Sequence, residues 1–248
     1  VVLDVITPAR KWAAPDVVES THTQPNMPLP QRIAMLITVV GPLAGLVAGS
    51  ALLWRRGMVS WPELIVMVVM YLLAGFGVTI GYHRLLTHRS FETFRIVRLM
   101  LAIFGSAAGQ GMVIKWCATH RRHHQVADHD GDPHSPHLHG SGWRGLARGM
   151  WHAHVGWTFE ADKPHLARSI RDLLADRALL VVDQLYLLWV AMGLLIPAVA
   201  VGWYEHSWRG ALAGLLCGGL LRIFLMHHVT WSINSVCHVF GRRPFRSG

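Results

Sequence analysis

Histidine is concentrated in one short stretch of this chain, CATHRRHHQVADHDGDPHSPHLHG, in which seven residues are histidine. His120, His123 and His124 are spaced three and four apart, so on an α-helix their imidazoles share one face. Neutral imidazole is a good ligand for iron, zinc and copper. The charges of Arg121 and Arg122 favour that neutral form. The spacing therefore indicates a transition-metal site on one helical turn, and a basic patch for lipid headgroups is the other interpretation.

Two further polar groups lie at the ends of apolar runs. The stretch GYHRLLTHRSF carries His83 and His88, whose spacing of five separates them by roughly 140° on a regular helix. They converge on one ion only where that helix ends or is distorted. The stretch TWSINSVCH carries Asn234 and His238, which are four apart and share a helix face. A polar pair at the end of an apolar helix is a candidate functional site.

Apolar segments must position these groups. Of the 248 residues, 52% are hydrophobic and 15% are charged, which is typical of a membrane protein. A bilayer core needs about 20 helical residues, and four runs are long enough: 33–54, 61–80, 179–203 and 210–233. Although the net charge is +9, we expect no nucleic-acid partner. Because 13 of the 23 Lys and Arg residues lie between positions 81 and 180, the positive-inside rule places that segment in the cytoplasm.

A fifth apolar stretch, 97–118, contains several Gly residues, a Gln and a Lys. We predict that it does not cross the bilayer, because a crossing would separate His83 and His88 from His120. Arg222 interrupts the fourth run and should face inward or snorkel to the membrane surface, since a lipid-facing Arg at mid-span costs roughly 2.5–3.5 kcal/mol. The predicted fold is an all-α integral membrane protein with four transmembrane helices and a cytosolic helical cap that carries a histidine-rich dimetal site. A flexible polar segment, 1–30, precedes the membrane domain, 31–248.

Five motifs in the order GYHRLLTH, ATHRRHH, DGDPHSPH, HVGW and TWSINSVCH resemble the membrane fatty-acid desaturases of the stearoyl-CoA (Δ9) type. The resemblance covers roughly residues 60–248. It implies a non-haem di-iron centre that uses O₂ and two electrons to desaturate a long-chain acyl group. The metal ligands it implies are His83, His88, His120, His123, His124 and His238, with Asn234 bound through water. The acyl tunnel it implies is bent by Gln110, Trp116 and Thr230 and lined by Trp157 and Trp231. In this comparison His134, in DGDPHSPH, is structural rather than ligating.

Two pairs of residues depart from the animal acyl-CoA enzymes of that family. The Arg-Asp pair before the second histidine motif is replaced here by Ala118 and Thr119, and the basic pair after HVGW by Ala161 and Asp162. The acyl carrier therefore stays open between CoA, a carrier protein and a membrane lipid. Because the chain has no dinucleotide fingerprint and no CxxC pattern, we expect an external electron donor of ferredoxin or cytochrome type with its reductase.

Three alternatives to an active desaturase follow from the same residues. A membrane fatty-acid hydroxylase would use the same di-iron centre. A metal transporter or store needs ligands inside the spans, whereas these histidines cluster at one end. The resembled family continues beyond the position of Gly248 to a third histidine motif, so we predict that this chain is the larger part of a longer desaturase. Residues 1–248 alone should then hold well under two tightly bound irons and be inactive.

Overall fold

A computed structural model describes residues 27–56, 60–160 and 170–241 of the chain. Most of the predicted N-terminal segment, together with Ala161 and Asp162, lies outside the described residues. Within these ranges the chain forms helices and no β-strand. The α-helices are α1 Leu29–Arg56, α2 Trp61–Phe76, α3 Arg95–Ala107, α4 Val113–Gln125, α5 Gly142–His154, α6 Arg171–Leu174, α7 Arg177–Gln184, α8 Tyr186–Tyr204, α9 Trp208–Gly214, α10 Arg222–Asn234 and α11 Val236–Val239. Two π-helical segments, Gly77–Thr87 and Leu215–Leu221, continue α2 and α9, and a 3₁₀ turn covers Gly156–Phe159.

Four stretches in the described part of the chain are long and apolar enough to cross a membrane: Leu29–Ala51, Trp61–Thr87, Tyr186–Tyr204 and Trp208–Val239. Their number confirms the predicted four-span, all-α membrane fold. The second stretch runs past its predicted end at residue 80 because the π-helical segment Gly77–Thr87 carries the helix onward. The fourth stretch reaches Val239 through α10 and the short helix α11. His83 therefore lies in the same continuous helix as the second span, and His88 caps its end.

The predicted bounds of the third span, 179–203, are wrong at the amino-terminal end. The helix is interrupted at Leu185, and residues 177–184 form the separate helix α7. The Asp176 side chain caps α7 by accepting hydrogen bonds from the backbone amides of Ala178 and Leu179. The Asp183 carboxylate accepts a 2.8 Å hydrogen bond from the backbone N–H of Ile114 in α4. These polar contacts hold α7 against α4, so the membrane helix begins only at Tyr186.

The stretch 97–118 is divided between α3 and α4, and neither helix is among the four candidate spans. The turn that joins them contains Gly109 and Gly111, with φ of 74° and 107°. Such left-handed backbone is accessible to glycine at little cost. Helix α3 packs on the π-helical end of the second span so closely that a Cβ at Gly77 would overlap the backbone of Phe104 and Gly105. The buried hydroxyls of Tyr82 and Ser106 are hydrogen-bonded at 2.8 Å across the same contact.

Arg222 lies inside the fourth span and is fully buried. Its guanidinium donates hydrogen bonds to the carbonyls of Ala107, at 2.8 Å, and Gly193, at 2.9 Å. A third bond, 3.2 Å long, reaches the carbonyl of Gly218 one turn earlier. The inward orientation predicted for Arg222 is confirmed, and the side chain joins the end of α3 to α8 and to its own helix.

Because neither α3 nor α4 is a candidate span, both ends of this segment should face the same side of the membrane. Glu92 and Gln125 are exposed just before and at the end of it. In a Cys237→Ser background, single Glu92→Cys and Gln125→Cys variants in sealed vesicles should react with an impermeant maleimide from one side. A His206→Cys variant, in the turn between the third and fourth spans, should react from the other side. Opposite sidedness of positions 92 and 125 would refute the fold of this segment.

The backbone contact at Gly77 predicts a strong size limit. Gly77→Ala should destabilise the protein at or beyond the upper end of the about 1–3 kcal/mol typical of overpacking, because backbone atoms cannot move aside as a side chain does. Gly41→Ala is the matched control, since a Cβ at Gly41 meets nothing within 4 Å. Thermal unfolding in detergent measures both variants. Equal melting temperatures would contradict the close packing of α3 on the second span.

Candidate metal centre

Four histidines from two helical segments meet at the end of the second span. The ligand atoms of His83, His88, His120 and His124 all lie within 4.8 Å of one another. The Nε2 atoms of His83 and His88 are 3.1 Å apart, and those of His120 and His124 are 3.0 Å apart. Two nitrogens bound to one ion at about 2.0–2.1 Å are separated by roughly 3 Å. These four residues, the first histidine group, therefore have the spacing of a metal site.

The π-helical segment explains how His83 and His88 reach one point. The backbone N–H of His88 donates a 3.0 Å bond to the carbonyl of His83, five residues earlier. This is the π-helical register, and it brings together side chains that would diverge on an α-helix. The distortion that the five-residue spacing requires is therefore present. Single π-helical turns within α-helices frequently occur at functional sites.

Helix α4 supplies the other two imidazoles of the first group. His120 and His124 are four residues apart and share one face of α4. Trp116, one turn earlier, stacks on the His120 ring at 4.8 Å between centroids and packs against Tyr82 of the π-helical segment at 5.4 Å. Arg121 points the other way and donates to the carbonyls of Leu86 and Thr87. These contacts fix α4 against the end of the second span.

Burial keeps the first histidine group neutral. It is the main cause that lowers the pKa of His120 to about 2 and that of His124 to about 4, and the neighbouring imidazoles add to both shifts. Desolvation also lowers the pKa of His88, with a smaller contribution from Arg121. The sequence predicts that the charges of Arg121 and Arg122 lower these pKa values; Arg121 does so for His88, but desolvation is the larger cause there and for His120 and His124. A neutral imidazole keeps the lone pair that binds a metal.

A second, buried group lies beside the first. His123, Asp132 and His134 have ligand atoms within 4.8 Å of one another, and the rings of His123 and His134 are 4.3 Å apart. Burial lowers the pKa of His134 to about 3. Burial alone would raise the pKa of Asp132, but hydrogen bonds from His123 and two backbone amides lower it to about 2. The Nδ1 atom of His134 is buried and has no hydrogen-bond partner among the described residues.

His238 and Asn234 are placed differently from each other. The His238 ring lies 5.1 Å from that of His123, and its Nδ1 atom is 3.0 Å from the Asp128 carboxylate. His238 is therefore at the edge of the second group. Asn234 is half-buried on α10 and makes no hydrogen bond to either group within the described part of the chain.

The five residues of the implied acyl tunnel occupy four places. The Gln110 side-chain amide donates a 2.7 Å bond to the Thr230 hydroxyl, which joins the α3–α4 turn to α10. Trp116 lies on His120, in the first histidine group. Trp157 contacts His134 at 5.5 Å between ring centroids, and Trp231 stacks on His227 at 4.9 Å. The aromatic residues therefore line both histidine groups and the adjoining face of α10.

A further histidine pair, His154 and His228, is not predicted by any spacing in the sequence. The Nε2 atom of His154 in α5 is 3.0 Å from Nδ1 of His228 in α10, and its Nδ1 atom is 3.0 Å from the Ser235 hydroxyl. Both rings pack against Trp231. His154 belongs to the HVGW motif, but only the folded chain shows its partner, which is 74 residues away. The pair ties α5 to the end of the fourth span.

Curated relatives of this chain act on fatty-acyl groups, whereas no protein-family profile matches it. It is 40% identical over 214 residues to the hex-5-enoyl-[acyl-carrier protein] acetylenase of Moorena producens, covering 86% of this chain and 66% of that protein. It is 32% identical over 208 residues to the sn-1 stearoyl-lipid 9-desaturase of Anabaena variabilis, covering 82% and 69%. It is 31% identical over 183 residues to stearoyl-CoA desaturase 5 of Homo sapiens, covering 71% and 51%. The chain thus spans between about half and just over two thirds of these relatives' lengths.

The depressed histidine pKa values predict acid lability of the metal-free protein. An unfolded histidine titrates near pH 6.5, whereas folded His120 and His124 stay neutral until pH about 2 and about 4. Below pH ~6.5 the unfolded chain therefore binds more protons, and stability falls as the pH falls. The melting temperature measured between pH 8 and 5 should drop on the acid side, and less steeply in His120→Gln. His129→Gln, at an exposed histidine, is the matched control and should keep the wild-type slope.

Proposed function

The chain belongs to the membrane fatty-acid desaturase family, and on that basis we propose that it desaturates a long-chain fatty-acyl group, at the Δ9 position, in an O₂-dependent reaction at a non-haem di-iron centre. The observation that carries the proposal is the convergence of His83, His88, His120 and His124 at the end of an apolar span. A site of neutral imidazoles that adjoins membrane helices suits oxidation of a substrate that has no polar group at the reacting carbon.

The residues present fit the proposed metal ions. His83, His88, His120 and His124 would hold one ion, and His123 and His238 face a second position. Bound iron would supply the O₂ activation that no protein side chain provides. Four neutral imidazoles add no charge to the site, unlike the glutamate-rich sets of soluble di-iron bundles. The contribution of the protein is to keep these imidazoles deprotonated and convergent, which burial and the π-helical register do.

The proposed acyl site lies between the first histidine group and α10. Gln110 donates to the Thr230 hydroxyl and to the carbonyl of Met226, so its amide is satisfied without a polar group on the ligand. Trp116 packs on an apolar cluster that includes Ala108 and Met226, and it also stacks on His120. Aromatic walls with few polar groups suit an acyl chain that must be held in one register.

The acyl carrier that we propose is a carrier protein or a membrane lipid rather than CoA. Ala118 and Thr119 stand where the animal acyl-CoA enzymes have a charged pair, and Ala118 is buried. No charged side chain at these positions can meet a CoA headgroup. The named substrate of the Moorena producens relative is linked to acyl-carrier protein, and that of the Anabaena variabilis relative is linked to lipid.

An acidic electron-donor protein of ferredoxin or cytochrome type is the partner that we propose, on the cytoplasmic side. An open cleft of about 500 Å³ between α3 and α7 is lined by Arg95, Arg98 and Arg177, together with Asp172 and Asp176. Arg89, next to His88, and Arg121 of α4 both donate to Asp172. This charge network adjoins the first histidine group, because Arg89 follows His88 and Arg121 follows His120 in the chain. A basic surface there would steer an acidic donor towards the metal ions.

Expression in cells of a full-length protein that contains this chain, followed by analysis of double-bond position in the acyl chains, tests the proposed reaction. We expect a new Δ9 double bond, and its loss by more than about 100-fold in His120→Ala, since removal of a ligand should exceed the 10–100-fold effect of the groups around ligands. His129→Ala, at an exposed histidine of the same region, is the matched control and should retain activity. Membrane insertion should be unchanged in both variants.

Three outcomes would contradict this proposal. Full activity with normal iron content in His120→Ala would remove His120 from the centre. Hydroxylated acyl chains in place of unsaturated ones would identify a hydroxylase. Turnover by the purified protein with NADPH and O₂ alone would eliminate the external donor.

A further inference from the structure

The loop between α4 and α5 contacts two candidate ligands of the second metal position from behind. One oxygen of the Asp132 carboxylate lies 2.9 Å from Nδ1 of His123, and the other lies 3.0 Å from it. The Asp128 carboxylate lies 3.0 Å from Nδ1 of His238. His123 and His238 come from segments more than 100 residues apart, yet both receive a carboxylate at the same ring atom from one short loop.

The Asp132 carboxylate is held in place by the loop backbone. Its side chain is 0% exposed. It accepts hydrogen bonds from the backbone N–H groups of Asp128, at 2.8 Å, and His134, at 3.0 Å. With the imidazole of His123, three N–H groups approach its two oxygens. Direct coordination of a metal by Asp132 would break these bonds, so its place in the structure is that of a support for His123.

The Asp128 carboxylate is held in a similar way. Ser135 donates a 2.9 Å hydrogen bond to the oxygen that contacts His238. The backbone of Asp128 is left-handed, with φ of 61°, a conformation that aspartate tolerates better than most residues. That turn directs the side chain towards α11, where His238 lies. The loop therefore presents both carboxylates in fixed positions.

We propose that Asp128 and Asp132 are positioning residues that orient His238 and His123 for one shared metal ion. Each carboxylate accepts a hydrogen bond from the Nδ1–H group of its imidazole. The proton therefore stays on Nδ1, and Nε2, which is directed away from the loop, keeps its lone pair. A carboxylate at the outer nitrogen also makes the inner nitrogen a stronger ligand. The first histidine group is arranged differently, since its imidazoles contact one another and Trp116. This inference rests on the proposed dimetal function.

The two metal positions should therefore respond differently to changes in this loop. Cobalt(II), whose visible absorption reports its ligands, is the probe, titrated into the purified, metal-free, full-length protein. We expect Asp128→Asn and Asp132→Asn each to weaken the second bound cobalt by about 10–100-fold, the usual effect of groups that orient a ligand. The first cobalt should bind as in the unaltered protein.

Asp130→Asn is the matched control. It removes the same charge from the same loop, but Asp130 is exposed, so neither cobalt affinity should change. Asp128→Asn retains an acceptor oxygen for both Ser135 and His238, so it disturbs the turn less and removes only the negative charge that strengthens the other ring nitrogen as a ligand. Asp132→Asn places an amide N–H₂ opposite a backbone N–H in either orientation, so its folding is checked by thermal unfolding.

Several results would overturn the proposal. These are unchanged affinity for the second cobalt in Asp128→Asn, an equal effect of Asp130→Asn, or a single cobalt bound by the unaltered full-length protein. X-ray absorption that shows loss of a cobalt–oxygen bond in Asp132→Asn would make Asp132 a ligand and would likewise overturn it. Cobalt binding does not depend on the acyl reaction, so failure of the proposed desaturation leaves this test informative.

Discussion

Imidazoles from two segments about thirty residues apart must meet on one side of a membrane, and this constraint determines the course of the chain. A third crossing between His88 and His120 would place them on opposite faces. The stretch between them instead folds as α3, a glycine-bearing turn and α4. The backbone contact of Gly77 with α3 and the Tyr82–Ser106 hydrogen bond hold this return in place. The contacts that return the chain to the same side of the membrane are thus the ones that bring the histidines together.

The cap is rich in arginine, yet the imidazoles stay neutral mainly for a reason unrelated to that charge. Arg121 is buried and is occupied by the carbonyls of Leu86 and Thr87 and by Asp172. Its hydrogen bonds join α4 to the second span and to α6. Desolvation lowers the histidine pKa values, so the neutral state of the imidazoles does not depend on the basic surface beside them.

Local patterns in the sequence predict the chemistry and the number of spans, because ligand spacing and hydropathy are read over a few residues. His120 and His124 share a helix face whatever surrounds them, and an apolar run of sufficient length is visible in any context. The start of the third span was missed because it depends on Asp183 binding an amide in α4. The partners of His154 and His238 are likewise set by contacts across 74 and 110 residues. No spacing rule reports such pairs.

Arg222 has a consequence for biogenesis. Its partners are the carbonyls of Ala107, at the end of α3, and Gly193, in α8. A newly inserted fourth helix without them would leave its guanidinium in lipid, at a cost of roughly 2.5–3.5 kcal/mol. Assembly of α3 and the third span beside it therefore stabilises the fourth span in the membrane. The membrane bundle and the cap are coupled in folding through this side chain, and a cap transplanted onto another four-helix scaffold would lack the cation that joins it to the bilayer-embedded half.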